Sequence, residues 1–163
     1  MFHKKKFIFV GTPFMTLKQK IHKHYLQQLN DKVKMLQLIL AGLKESSSNE
    51  TKSTAGDKHE TALAMLQIEQ ANNREQLKEA LAQKAGLEKI DPCISVAVIL
   101  NGSLIKTNRG YLYLSLAMGK AEIENIKVMA LSPQSPLGVK LVGLKINDVA
   151  EVNNNRYVIE NIV

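Results

Sequence analysis

The stretch Leu26-Gln-Gln-Leu29-Asn-Asp-Lys-Val33-Lys-Met-Leu36-Gln-Leu-Ile-Leu40-Ala-Gly-Leu43 decides the fold. Its apolar residues Leu26, Leu29, Val33, Leu36, Leu40 and Leu43 recur in alternating steps of three and four. That heptad seam predicts a helix packed lengthwise on a partner helix. A partner lies downstream, from about Glu60 to Leu87, with its own seam of Leu63, Leu66, Gln70, Asn73, Leu77, Ala80, Lys84 and Leu87. The polar members of this second seam weaken packing but help to fix register. No proline falls between Pro13 and Pro92, so nothing breaks either helix. Residues 45–56 between them are polar, with three consecutive serines and a closing Gly56, and read as a turn. The expected object is an antiparallel coiled-coil hairpin over residues 15–91, with its tip near 45–60. Arms of about 27 residues would reach roughly 40 Å at 1.5 Å per residue.

Upstream of the seam, residues 1–14 read as a tail or upstream extension that holds all four Phe of the chain: Phe2, Phe7, Phe9 and Phe14. Lys4-Lys5-Lys6 before Phe7-Ile8-Phe9-Val10 looks superficially like a signal peptide. The apolar run is too short, and no small-residue cleavage site follows. Met15 opens the regular pattern and reads as a natural start.

Downstream of Asp91-Pro92 the grammar changes. Five of the nine Gly fall in this last portion, and short runs of β-branched and aromatic residues alternate with turns. Ser103–Thr107, Tyr111–Leu116, Lys127–Leu131, Asp148–Val152 and Arg156–Ile162 are predicted strands. Asn108-Arg109-Gly110 and Asn153-Asn154-Asn155 are predicted hairpin connections. Pro136–Val142 reads as a short helix with proline in its first turn. The prediction for 92–163 is a twisted antiparallel sheet with one helix against it, so the whole chain is α+β.

Composition limits the function classes. The chain has 163 residues and 18.2 kDa, with 45% hydrophobic and 23% charged residues, which suits one folded domain plus a long appendage. No run approaches the roughly 18 apolar residues of a membrane span, so no membrane partner is expected and the expected location is the cytoplasm. The single Cys93 excludes a disulfide framework or a four-cysteine zinc site within one chain. Net charge is +7, and residues 1–55 alone hold ten Lys against Asp31, Glu45 and Glu50. That surplus fits attraction to a polyanion, and equally a solvated lysine surface.

Among candidate chemistry, Asp57-Lys58-His59-Glu60 stands out. Two acids three apart at the start of a helix project to nearly the same side. They fit two readings: an N-terminal capping box, or two oxygen ligands for a hard cation such as Mg²⁺. His22 and His24 are two apart, on different helix faces, and are expected as solvated surface histidines. Cys93, after a proline and beside an apolar run, is expected as a buried structural thiol. Gly138-Val-Lys-Leu-Val-Gly143-Leu-Lys145 departs from a phosphate-binding loop, because Leu144 separates Gly143 from the lysine and no Ser or Thr follows. Leu137, Leu141 and Leu144 read instead as the buried stripe of the short helix and its exit.

The series Ser132-Pro-Gln-Ser-Pro-Leu-Gly138, then Leu141-Val-Gly143 and Asn147-Asp148, resembles the carboxy-terminal domain of Gre-type transcript-cleavage factors, a bacterial transcription elongation family. Gly102-Ser103 before an apolar strand and the closing Tyr157-Val-Ile159-Glu-Asn-Ile162 extend the likeness over about residues 95–163. The family places a coiled-coil hairpin before this domain, with the tip motif Gly-Asp-x-x-Glu-Asn-Ala-Glu-Tyr. Gly56-Asp57-Lys58-His59-Glu60-Thr61-Ala62 matches its glycine, both acids and the alanine. Thr61 replaces Asn, and Leu63 and Ala64 stand where Glu and Tyr are expected.

The resemblance implies an FKBP-like fold for 92–163, docked on RNA polymerase, with the hairpin threading the secondary channel towards the 3′ end of nascent RNA. It implies that Asp57 and Glu60 act in the polymerase's site, sharing its Mg²⁺ and stimulating cleavage of backtracked RNA. No cofactor is expected on the chain alone, and a monomeric accessory factor is expected in place of an enzyme. Lys44, Lys52 and Lys58 are candidates for RNA contact near the tip; Ser135, Pro136, Leu137 and Gly138 are candidates for the docking surface. The alternatives are a channel regulator without cleavage activity, an FKBP-like peptide-binding module and a coiled-coil adaptor whose seam pairs between chains.

Overall fold

The computed structural model describes residues 14–50, 52 and 56–163. The reading of residues 1–13 as a tail therefore lies outside the described residues; Phe14 itself is fully exposed. Two long helices, α1 (Leu17–Glu50) and α2 (Gly56–Glu88), lead the chain. Strands β1 (Leu104–Thr107), β2 (Gly110–Leu114), β3 (Gly119–Ile123) and β4 (Ile126–Leu131) follow, then α3 (Pro136–Leu141), β5 (Val149–Val152) and β6 (Asn155–Ile162). The class is α+β, as the sequence predicts.

Both seams are where the heptads put them. Every seam residue of α2 from Leu63 to Leu87 is at least half-buried, and Leu29, Val33 and Leu36 of α1 are buried. The turn is shorter than expected, because α1 runs through the serines to Glu50. Serine is a mediocre helix former in water. Here the Ser48 hydroxyl donates to the Lys44 carbonyl one turn back, 3.0 Å away, so the side chain joins the helix that it was expected to end.

The strands form one six-stranded sheet in the order β3-β4-β2-β1-β6-β5. It is mixed, which corrects the all-antiparallel expectation: β2 and β4 pair in parallel, Leu112 opposite Met129. The reason is β3, a strand that the sequence reading lacks. The chain leaves β2, runs out to the edge as β3, and returns between the two as β4. Two-residue turns close the hairpins at Glu124-Asn125 and Asn153-Asn154, and all four residues have positive φ. Such turns match the twist of the flanking strands, and asparagine tolerates this conformation.

The sheet buries both faces. On one face α3 closes a core of Ile99, Ile105, Leu112, Leu114, Leu137, Leu141 and Ile159. Leu144 packs on its margin, so the stripe Leu137, Leu141, Leu144 holds as read. Ser135 caps α3, its hydroxyl accepting from the Gly138 amide at 3.0 Å and donating to the Ser132 carbonyl at 2.7 Å. On the other face the hairpin base sits down: Ile21, Tyr25, Leu29, Leu87 and Ile90 pack on Leu104, Tyr113, Val128 and Ala130. Above Leu29 the hairpin leaves the sheet. From Asn30 to Glu50 the arm stands free for about 30 Å at 1.5 Å per residue.

Candidate functional site

The free end of the arm holds the sequence-predicted acids. Asp57 lies in the first turn of α2 and Glu60 one turn on; both are exposed. Residues three apart on a helix have Cβ atoms about 5–6 Å apart, so the two carboxylates share one side of the tip. The Thr61 hydroxyl donates to the Asp57 carbonyl at 3.2 Å, which draws Thr61 in along the helix. Lys44, Lys52 and Lys58 are all exposed around the same end.

What the tip can do with a metal follows from its donor set. Among the described residues no cluster of three or more His, Cys, Asp or Glu could hold a metal ion. Two hard carboxylates suit Mg²⁺ in kind, but the remaining ligands must come from another molecule. By themselves the two carboxylates form an incomplete ligand set.

The foot holds the second set of predicted residues, and they divide. Leu137 and Gly138 are buried and serve the core. A Cβ added at Gly138 would stand 2.0 Å from the Ser132 carbonyl, so no side chain fits there. Ser135 and Pro136, with one edge of Leu137, line a groove of about 310 Å³ together with Met129, Leu131 and Tyr157. A groove of about 740 Å³ continues from Met129 and Tyr157. Its floor is Leu112 and Met129; Arg109 stands over the Tyr157 ring at 5.7 Å, and Lys120, Lys127 and Glu122 form the other side. Sequence reasoning missed these wall residues. They come from three strands and a turn; the sequence marked Arg109 as part of a turn and Lys127 and Tyr157 as parts of strands, but none of them as lining a groove.

Two expectations at the joint of arm and foot are corrected. His22 is buried: its Nδ1 lies 2.8 Å from the Tyr113 hydroxyl. Burial, and then the neighbouring Lys18 ammonium, hold the imidazole below its ordinary range, with Asp91 opposing them. Burial also pushes the Tyr113 phenol well above its usual range. Lys18 is 3% exposed and donates its ammonium to the Ile94 carbonyl. Its affinity for a proton is lowered by burial, with Asp91 and Cys93 working against that. Cys93 is exposed, the opposite of expectation, in the connection that leaves α2, where Gln19 reaches its sulfur at 3.1 Å. The turn at 91–94, pinned by the Asp91 carboxylate on the Cys93 amide, holds the thiol outside the sheet. His24 is half-buried beside Tyr25.

No protein-family model matches the sequence, and no curated protein matches it. Among solved structures, the crystal structure of GreA factor homolog 1 (Gfh1) of Thermus thermophilus is similar at 15% identity and a TM-score of 0.31, over 88% of this chain and 92% of that chain. No helix among the described residues is long and apolar enough to cross a membrane.

Proposed function

We propose that this protein is an accessory factor of RNA polymerase: its foot docks on the enzyme, and its arm enters the secondary channel to bring Asp57 and Glu60 to the active centre. The observation that carries this reading is the exposed acid pair at the free end of a stiff arm, matching the Gre-type tip motif in residue types and spacing. A thin two-helix arm suits delivery of charge into a narrow passage, and its length fixes how deep the acids reach.

Mg²⁺ shared with the polymerase would supply activation of water and charge stabilisation at the cleaved phosphodiester. Asp57 and Glu60 would supply two of its oxygen ligands. Lys44, Lys52 and Lys58 attract the phosphates of the extruded RNA 3′ end. The groove beside Ser135 and Pro136 is the docking surface on the foot. The factor completes another enzyme's site and is not an enzyme by itself.

Stalled, backtracked elongation complexes incubated with the protein should release short 3′ RNA fragments. Asp57→Ala with Glu60→Ala should lower the release rate by at least about 100-fold while binding persists, the scale on which loss of charge-stabilising groups acts. Release that survives the double substitution defeats the reading. A second reading is favoured by Leu63 and the exposed Ala64, which stand where the cleavage-factor motif has Glu and Tyr. On it the arm occupies the channel without stimulating cleavage, and the same assay distinguishes the two, since binding then comes with no released RNA.

A further inference from the structure

β3 is one edge of the sheet, and register fixes which of its groups face outward. The two-residue turn at Glu124-Asn125 makes Ile123 and Ile126 a hydrogen-bonded pair. Bonding alternates along an antiparallel ladder, so Ala121 and Gly119 also face β4, opposite Val128 and Ala130. The far side of β4 agrees. Leu131 gives its carbonyl to the Ser115 amide at the end of β2, 2.9 Å away, so Met129 and Lys127 face β2. The N–H and C=O groups of Lys120 and Glu122 therefore point away from the sheet. None of the four is hydrogen-bonded among the described residues, and both residues are exposed.

The helix above leaves this edge free. Val128 and Ala130 of β4 are each 2% exposed beneath α1, whereas Ala121 and Ile123 of β3 are only half-buried. Tyr25 spans β4: its ring stacks on Tyr113 of β2 at 6.4 Å, and its hydroxyl donates to the Gly119 carbonyl of β3 at 2.9 Å. α1 thus stands over β4, one strand in from the edge. An unpaired edge is a template for another strand.

We propose that this edge pairs with the same edge of a second copy, antiparallel, about a two-fold axis at Ala121, so that the two six-stranded sheets become continuous.

The order of charges on β3 selects that occupant. Lys120 and Glu122 are two apart and project from the same face. Glu122 lies opposite Lys127 in register, yet neither Lys120 nor Glu122 forms an ion pair among the described residues. Three antiparallel registers bring the outward backbone groups of two such edges together. Centred on Lys120, lysine meets lysine. Centred on Glu122, glutamate meets glutamate. Centred on Ala121, Lys120 of each copy stands opposite Glu122 of the other. Opposite charges directly across an antiparallel pair stabilise it, and like charges destabilise it. Only the third register fits, and it is isologous, as a closed dimer requires. An apolar strand on the same edge would gain nothing from either charge.

The neighbouring groups tolerate the join. At the axis two Ala121 methyl groups meet in the closely spaced type of pair, with about 4.5 Å between Cα atoms, and each Ile123 falls opposite Gly119. The two α1 helices lie three strand spacings apart, roughly 14 Å, where helices in contact need about 8–10 Å. α1 runs antiparallel to β3, from Lys20 at Glu124 to Tyr25 at Gly119. The two-fold therefore sends the two arms out in opposite directions, and they do not meet. The paired segment is only five residues a side, so the association is a weak one.

Sedimentation of the full chain at low ionic strength is the first test. It should show a reversible monomer–dimer equilibrium with a dissociation constant of about 0.1 mM, weakened by added salt. Lys120→Glu and Glu122→Lys, each alone, set like charge on like at both cross-strand pairs and should raise that constant at least about 10-fold. Mixed in equal amounts, the two variants should form a heterodimer, because every cross-strand pair is then opposite in charge. The double variant should pair with itself as the native chain does. Lys140→Glu on α3, with the same change of net charge as Lys120→Glu, should leave the constant within about twofold, since it lies outside the paired strands. Hydrogen exchange is the second test: the amides of Lys120 and Glu122 should exchange freely in dilute protein and slow as concentration rises into the dimer range. A chain that stays monomeric up to about 1 mM, charge-reversed variants that fail to pair when mixed, or a dimer that leaves those two amides unprotected overturns the proposal. Protection already present in dilute protein and lost on deleting residues 1–13 would show that the edge is taken within the chain, and overturns it equally. None of these outcomes depends on a polymerase being present, so the dimer and the polymerase reading fail separately.

Discussion

In the foot, Ile99, Ile105, Leu114, Leu141 and Ile159 are wholly shut from solvent; in the arm beyond Leu36, the α1 seam residues Leu40 and Leu43 stay partly open. The foot is filled from both faces of a sheet, so each buried side chain touches neighbours from several elements. The arm has one line of contacts between two helices, interrupted by Gln70 and Asn73. Shape in the foot is therefore held by volume, and shape in the arm by helix propensity and register. The same substitution should cost several-fold more in one region than in the other.

Glycine gives the sharpest contrast. Gly138→Ala places a Cβ 2.0 Å from the Ser132 carbonyl and 2.9 Å from backbone atoms of Pro133, and backbone cannot step aside cheaply. Urea denaturation should show a loss of about 3 kcal/mol or more. Gly42→Ala in the arm meets nothing and should gain up to about 1 kcal/mol of helix stability. Equal effects at the two sites would remove the distinction between foot and arm.

Leucine truncation comes next. Leu114→Ala, at a position with no exposed surface in the core under α3, should cost about 2–5 kcal/mol. Leu43→Ala, half-open on the arm, should cost about 1 kcal/mol, because less area leaves contact and water reaches the gap. Hydrogen exchange should show the arm opening near Leu43 at lower free energy than the foot.

How far the sequence disclosed this architecture follows the same division. The arm was legible because its only rule is spacing, and spacing is visible in Leu29, Val33 and Leu36. The place of Asp57 and Glu60 at the free end was legible too, because they follow the polar stretch between the two seams. The foot was legible where a strand or turn carries its own signal, as in Asn153-Asn154. It was opaque where tertiary pairing overrides weak propensity: Gly119-Lys-Ala-Glu-Ile123 is a poor strand by composition and exists because β4 ladders along it from Ala130 to Ile126. Missing that one strand also hid the parallel direction of β4. His22 could not be read as buried, since Tyr113, which lies beside its ring nitrogen, is 91 residues away. The groove walls at Arg109, Lys120 and Tyr157 converge only once the sheet has formed.

The joint between the two regions should respond to pH. His22 lies where the arm meets the sheet, with Lys18, Asp91 and Tyr113 around it, and its proton affinity is lowered by burial from an ordinary value of 6.5. A depressed value in the folded state means that the unfolded chain takes up the proton more readily. The stability contribution is complete above pH 6.5 and is lost as pH falls through the folded value. The Tm should therefore fall more steeply on acidification from neutral pH than it does in His22→Gln, and a parallel pair of profiles would show that the joint does not sense protons.

The smallest effect belongs to the arm's polar seam. Asn73 sits at a seam position, half-buried, and returns its side-chain amide to the Glu69 carbonyl of its own helix at 2.9 Å. That bond gives nothing to α1. Asn73→Leu would extend the apolar line from Leu77 towards Leu66 and should stabilise the arm by about 0.5–1 kcal/mol, read as slower hydrogen exchange on both helices near that level. Gln70→Leu should gain less, because it also removes the cross-helix bond to Leu43 that fixes register. If Gln70→Leu proves the better stabiliser of the two, register is held by the leucines alone, and the polar seam residues serve only to keep the arm soluble.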